Sequence, residues 1–230
     1  MAKESSTTKK VLRIGHRGAA GYAPENTFAS IQKAVELACD LVEVDVRRTK
    51  DGHLVLLHDE RVDRTTNGKG AVAEMTLENL RKLDIGGGQR IPKLEEALHA
   101  TNGRVGLILE LKARGIGEQT CAMVRQSGFI GPVLYASFVH ADLLQVRRAM
   151  QQAATMALFK KLPRNPVQAA LDAKATQVGL RHDTATKLLV EACHNADLRV
   201  FVYTVNKPSD IQKVRTLGVD GIVSDFPDRV

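Results

Sequence analysis

Nine short runs rich in valine, leucine and isoleucine punctuate the chain, at 11–15, 41–46, 54–57, 105–111, 132–136, 154–159, 176–180, 199–205 and 220–223. Between most of them lie stretches of helical periodicity, at 27–38, 93–101, 117–127, 139–152, 164–174, 184–196 and 207–217. Continuously apolar strands that alternate with helices belong to a parallel sheet covered on both faces. Eight such units close into a barrel, and 230 residues are enough for one. The expected fold is α/β, a TIM (β/α)8 barrel.

Nine candidates are one too many. Only Arg47 to His53 separate 41–46 from 54–57, too short a link for a crossover helix. Asp51-Gly52 is a two-residue hairpin signal. Pairing Lys50 with His53 and counting outward sets His58 opposite Asp45. Run 54–57 is therefore expected to fold back antiparallel as an arm on the rim, leaving eight parallel strands. Residues 59–92 are irregular, with a short helix near 76–83 and Gly86-Gly87-Gly88, and read as a small insertion over the C-terminal mouth. Residues 1–10 read as a flexible tail, so 11–230 form a single domain. In 27–38, Phe28, Ile31, Val35 and Ala38 share a face, and Asn26 is placed to cap the helix.

Composition removes several function classes. No apolar run approaches the roughly 18–20 residues that span a bilayer, and the polar N-terminus lacks a signal-peptide core, so a cytoplasmic protein without a membrane anchor is expected. Cys39, Cys121 and Cys193 have no metal-ligand spacing and read as free thiols. The formal charge of +7 is spread along the chain, with no basic run interleaved with aromatics. An anionic small substrate is expected rather than nucleic acid.

The chemistry starts at Gly15-His16-Arg17-Gly18, where a strand ends on an acid/base group and a fixed cation between glycines that permit a tight bend and close approach of a ligand. In Leu41-Val42-Glu43-Val44-Asp45-Val46 the alternation puts the valines on the helix side and both acids inside the barrel. Two close carboxylates need positive compensation, from a cation or from Arg and Lys. On 105–111 Glu110 shares its face with Ile108 and Lys112, which brings a third acid to the same mouth. Three carboxylates without a Cys or His cluster make a hard, oxygen-rich site, suited to Mg²⁺ or Ca²⁺ rather than Zn²⁺. Lys112 is placed either for a phosphate oxygen or for a salt bridge among these acids. His58 comes beside Asp45 through the hairpin and His16 from the adjacent first strand. Two histidines on opposite sides of a metal-bound anion make a general acid and a general base. His53, His99, His140, His182 and His194 lack such company.

Taken with Pro24-Glu25-Asn26-Thr27, Thr49-Lys50-Asp51-Gly52, His58-Asp59, Arg64-Thr65-Thr66-Asn67-Gly68, Ile91-Pro92-Lys93-Leu94-Glu95-Glu96, Glu110-Leu111-Lys112, Thr204-Val205-Asn206 and the segment Gly218 to Pro227, this order resembles the glycerophosphodiester phosphodiesterase family over nearly the whole chain. The resemblance implies a barrel of the phospholipase C-like phosphodiesterase type. It implies cleavage of glycerophosphodiesters to glycerol phosphate and an alcohol. By position it implies Glu43, Asp45 and Glu110 as ligands of one divalent cation, Mg²⁺, Ca²⁺ or Mn²⁺. It implies His16 and His58 as the acid/base pair and Arg17 and Lys112 as phosphate contacts. The chain has Tyr203 where the family usually has Trp, and the insertion is short; both bear on substrate breadth. Phe138 is a candidate apolar contact for glycerol or headgroup, or a core residue. The alternatives are a lysophospholipase D, which needs an acyl groove, a non-catalytic phosphodiester-binding protein, which needs no complete set of reactive groups, and a phosphomonoester-binding barrel isomerase or aldolase.

Overall fold

A computed structural model describes residues 10–230. The tail expected at 1–10 lies outside the described residues except for Lys10, whose ammonium pairs with Asp40 at 2.5 Å. Each apolar run carries a strand: β1 (Leu12–Gly15), β2 (Leu41–Arg48), β3 (Leu54–Leu56), β4 (Gly106–Leu111), β5 (Val133–Ser137), β6 (Ala154–Leu158), β7 (Gln177–Arg181), β8 (Arg199–Tyr203) and β9 (Gly221–Ser224). The helices are α1 (Phe28–Glu36), α2 (Leu77–Leu80), α3 (Leu94–Thr101), α4 (Gly117–Gln126), α5 (His140–Ala149), α6 (Pro166–Asp172), α7 (Lys187–His194) and α8 (Pro208–Thr216). Parallel pairing runs β1-β9-β8-β7-β6-β5-β4-β2, and β2 returns to β1, so eight parallel strands close into a barrel. β3 pairs only with β2 and antiparallel, as an arm outside the ring.

The register of that arm differs from expectation by one residue. Val46 faces Leu56 and Arg48 faces Leu54, and the Leu57 amide donates to the Asp45 carbonyl at 3.0 Å, so Leu57 and not His58 stands opposite Asp45. The cause is the turn. Thr49, not Lys50, exchanges the closing hydrogen bond with His53, which leaves a three-residue loop, Lys50-Asp51-Gly52. Its last residue, Gly52, has φ +86°, the left-handed position such loops give to glycine. Arg47 then fixes the strand end, donating from Nε and Nη2 to the His58 carbonyl at 3.0 and 2.7 Å.

Two layers of core follow from strand alternation. Val42, Val44 and Val46 with Leu107, Leu109 and Leu111 face outward and pack against Ile31 and Ala34 of α1 and Leu94, Ala97 and Leu98 of α3. Ile14, Leu41, Ile108, Leu134, Met156 and Phe201 fill the barrel axis. Asn26 does not cap α1: it has φ +58°, and Thr27 caps instead, its hydroxyl and the Ser30 amide closing a capping box. Phe28 is correspondingly off the buried face of α1, which is formed by Ser30, Ile31 and Ala34. Residues 57–92 hold a 3₁₀ turn at Val72–Glu74 and α2, and build a separate apolar cluster of Leu57, Val62, Val72, Leu80, Ile85 and Ile91 on Val55 of β3. The segment is closed at its base, where the Leu56 amide donates to Pro92 O at 2.9 Å and Val55 bridges to Lys93. No helix of the described residues is long and apolar enough to cross a membrane. The three cysteines are free thiols, all buried.

Candidate active site

The C-terminal ends of β1, β2, β4, β8 and β9 deliver the polar groups. β1 stops at Gly15, and His16 hydrogen-bonds through its amide to Ser224 O at 2.9 Å, tying the chain to the end of β9. Gly18 has φ +84° and lies so close to α1 that a Cβ there would sit within 2.6 Å of Ser30. A Cβ on Gly15 would meet Gly18 O at 2.6 Å. The glycines thus serve the fold-back of this turn onto α1. The turn aims the Arg17 amide at Glu43 Oε2, at 2.8 Å.

Asp45 of β2 is the register partner of Glu110 of β4, and Glu43 lies two residues earlier on the same inward face. One carboxylate oxygen from each of the three lies within 4.8 Å of the others. Arg17 Nε comes to 3.4 Å from Asp45 Oδ2, and Lys112 Nζ lies 2.8 Å from Glu110 Oε1 and 3.7 Å from Asp45 Oδ1. Asn26 donates to Asp45 Oδ2 at 2.8 Å and accepts the Asp45 amide at 3.0 Å. Two cations do not balance three acids. Burial, and then the charges of Asp45 and Glu110, push the Glu43 carboxyl well above the usual carboxylate range. Burial and Asp45 raise Glu110 as well. Glu43 Oε1 and Asp45 Oδ1 are buried with no hydrogen-bond partner. Three converging carboxylates, two of them with an orphaned buried oxygen, are what a hard divalent cation requires, so the donor set fits one.

The two histidines flank this cluster in matching ways. His16 Nδ1 lies 2.7 Å from Asp225 Oδ1, and His58 Nδ1 lies 2.6 Å from Asp59 Oδ1. Among the described residues neither Nε2 has a hydrogen-bond partner. Burial lowers the His58 pKa, against the opposing pull of Asp45 and Asp59. Asp225 is held by Asn206 Nδ2 at 2.6 Å. Burial raises that carboxyl most, but the hydrogen bond and charge of His16, the Asn206 hydrogen bond and the charge of Arg17 together outweigh it, and the net shift is downward. Asp59 receives Arg64 Nε at 2.5 Å, and that hydrogen bond draws it down to about 2. Arg64 also grips Glu25 with both Nη atoms, at 2.9 and 2.7 Å, while Glu25 Oε1 receives Arg17 Nη1 at 2.9 Å. The insertion is thereby joined to Arg17 and to His58 through one guanidinium.

His58, Asp59, Arg64, Glu110, Lys112 and Phe138 are among the residues lining a cleft of about 940 Å³ between the insertion and the ends of β4 and β5. Beneath it a cavity of about 40 Å³ is lined by His16, Glu43, Glu110, Phe138, Met156 and Tyr203, among others. Tyr203 packs edge-on to Phe138, centroids 6.2 Å apart, and its hydroxyl donates to Phe159 O at 3.1 Å. Lys112 Nζ stands 5.7 Å from the Phe138 ring centre. All nine candidate residues thus gather at one mouth. His140 and His194 bond elsewhere, to Leu158 O and Asp220.

The sequence reading gave Asn26 only the role of a helix cap and singled out no role for Asp59, Arg64, Asn206 or Asp225. All lie in the motifs that carried the resemblance, but only the closed barrel shows what each one touches.

Residues 16–229 match the sequence model of the glycerophosphoryl diester phosphodiesterase family. The YhdW protein of Bacillus subtilis is 38% identical, with 94% of each chain covered. A glycerophosphodiester phosphodiesterase of Caldanaerobacter subterraneus is 36% identical, over 95% of this chain and 96% of that one. Among solved structures, an Oleispira antarctica phosphodiesterase in complex with the product sn-glycerol-3-phosphate superposes with a TM-score of 0.88 at 29% identity, over 94% of this chain and 93% of that chain.

Proposed function

Since the chain belongs to the glycerophosphoryl diester phosphodiesterase family, we propose that it hydrolyses glycerophosphodiesters to glycerol 3-phosphate and an alcohol, with one divalent cation and two histidines. The observation that carries this reading is the pairing of His16 and His58, each held at Nδ1 by an aspartate, around three carboxylates of which Glu43 and Asp45 have an orphaned oxygen. Glu43, Asp45 and Glu110 would hold the cation, Mg²⁺, Ca²⁺ or Mn²⁺. When bound, it supplies charge neutralisation at the diester oxygens.

The chain's own groups do the rest. Arg17 and Lys112 offer fixed positive charge to the non-bridging oxygens, which lowers the cost of bringing a nucleophile to an anion. Asp225 and Asp59 each accept a proton-bearing Nδ1 and so leave Nε2 as the reactive nitrogen. One ring takes the proton from the attacking hydroxyl, and the other gives a proton to the departing alkoxide. Each transfer is worth about 10²–10⁴ in rate. The attacking hydroxyl is that of water, or that of the glycerol 2-position, which yields a cyclic phosphate for water to open. Phe138 and Tyr203 wall the side where glycerol would rest.

A panel of glycerophosphodiesters assayed with Mg²⁺, Ca²⁺ and Mn²⁺ tests the reading. Release of glycerol 3-phosphate with at least one ion is expected. An inactive, folded, metal-loaded protein across the whole panel overturns it.

A further inference from the structure

The cleft of about 940 Å³ is much larger than glycerol phosphate needs, and its outer part has a charge pattern that the reaction does not use. Four carboxylates line it: Asp59 is bound by Arg64, Asp63 by Arg61 and Glu110 by Lys112, and the charge of Glu60 acts on Arg47, which also lines the cleft. Three further cations lining the same cleft, Arg48, Arg114 and Lys160, have no carboxylate within ion-pair distance among the described residues. They arrive independently. Arg48 ends β2, Arg114 lies two residues beyond Lys112 after β4, and Lys160 lies two residues beyond the end of β6. In a barrel those ends form the face where ligands sit.

Unpaired Arg and Lys around one concave wall raise the local concentration of anions and repel cations. They also offer N–H groups suited to phosphate oxygens. Among the aromatic residues only Phe138 lines this cleft, so it has no cage for a quaternary ammonium. We propose that the outer cleft is a subsite for a second phosphate carried by the leaving alcohol, and that the favoured diesters are those whose headgroup is itself phosphorylated. The inference rests on the hydrolytic reading above and adds the headgroup class to it. Arg48, Arg114 and Lys160 are the specificity residues. They would touch the headgroup phosphate and not the reacting one.

Two substrates with the same leaving glycerol separate the cases: glycerophosphoglycerol, and bis(glycerophospho)glycerol, which adds the second phosphate. Single exposed ion pairs contribute little each, so three together are expected to raise kcat/KM for the second substrate about tenfold at low salt. Glycerophosphocholine should fall below both. The advantage should shrink with added salt. It should also collapse toward unity in the Arg48→Gln, Arg114→Gln, Lys160→Gln variant. Equal kcat/KM for the two glycerol substrates, or an advantage unchanged in that variant, overturns the inference and leaves the hydrolytic reading standing. Turnover of neither substrate overturns both.

Discussion

Asp45 and Glu110 sit directly across from one another on neighbouring parallel strands, both side chains turned into the barrel. No fold would place two acids in register there, with Glu43 beside them, for packing alone. Burying like charges without a counter-charge costs several kcal/mol, about what removing one partner of a buried pair costs. Treatment with a chelator is expected to abolish diester hydrolysis, and Mg²⁺, Ca²⁺ or Mn²⁺ to restore it. Glu43→Gln should weaken metal binding, read by calorimetry, while the circular dichroism spectrum stays native. Full activity in excess chelator would remove the cation from the mechanism.

His16→Ala and His58→Ala are each expected to lower kcat by about 10²–10⁴ with KM little changed. Their roles separate with a nitrophenyl leaving group, which needs no proton. The variant lacking the acid should recover most of its rate on that substrate, and the variant lacking the base should not. Recovery of both, or normal turnover by either on the natural diester, would refute a two-histidine division of labour.

Arg64 acts at a distance through Asp59. Its hydrogen bond holds the folded Asp59 near about 2, below the ordinary unfolded value of about 3.9. A depressed folded pKa contributes stability that is whole above the unfolded value and is lost as pH falls through the folded one. Urea midpoints should therefore drop between about pH 4 and pH 2 in the native chain and drop less in Asp59→Asn. Arg64→Lys, which cannot hold Asp59 through Nε and Glu25 through both Nη atoms at once, should shift the pH profile of kcat as well, because Asp59 beside His58 is no longer fixed. An unchanged profile would leave Arg64 a merely structural clamp.

Asn26 both gives and receives a hydrogen bond at Asp45 while fully buried. Asn26→Ala strips one donor from Asp45, a proposed ligand carboxylate. Metal affinity should fall about 10–100-fold, and stability by about 1–3 kcal/mol from the unsatisfied groups left behind. Isothermal titration with Mg²⁺ and thermal unfolding check the two parts separately.

The barrel was legible because its strands are apolar on the helix side at every second position, so an acid in the alternate set had to point inward. Val42, Glu43, Val44 and Asp45 state this in four residues. The position of His58 was not legible to one residue, because loop length turned on whether Gly52 entered the left-handed region. Local propensity also misplaced the cap of α1. Asn26 and Thr27 are both good caps, and only the neighbouring β2 decides which of them turns inward. The partners of the histidines were out of reach for a different reason. His16 and Asp225 lie 209 residues apart and meet because β1 seals the barrel against β9.

At the base of the insertion Pro92 and Lys93 return to Leu56 and Val55, so residues 57–92 leave and rejoin the barrel at β3, with side ties from Arg64 to Glu25 and from Leu77 to Asp51. The barrel strands keep their register whether that insertion is short or long, since β3 alone receives both of its ends. Selection can therefore exchange the rim beyond Arg64, where Ala71, Val72 and Ala73 line the cleft, and with it the preferred leaving group, while His58, Asp59 and Arg64 stay in place. A chimera carrying a longer segment spliced between Thr65 and Ile91, which leaves His58, Asp59 and Arg64 in place, should keep hydrolytic activity and acquire a different headgroup ranking.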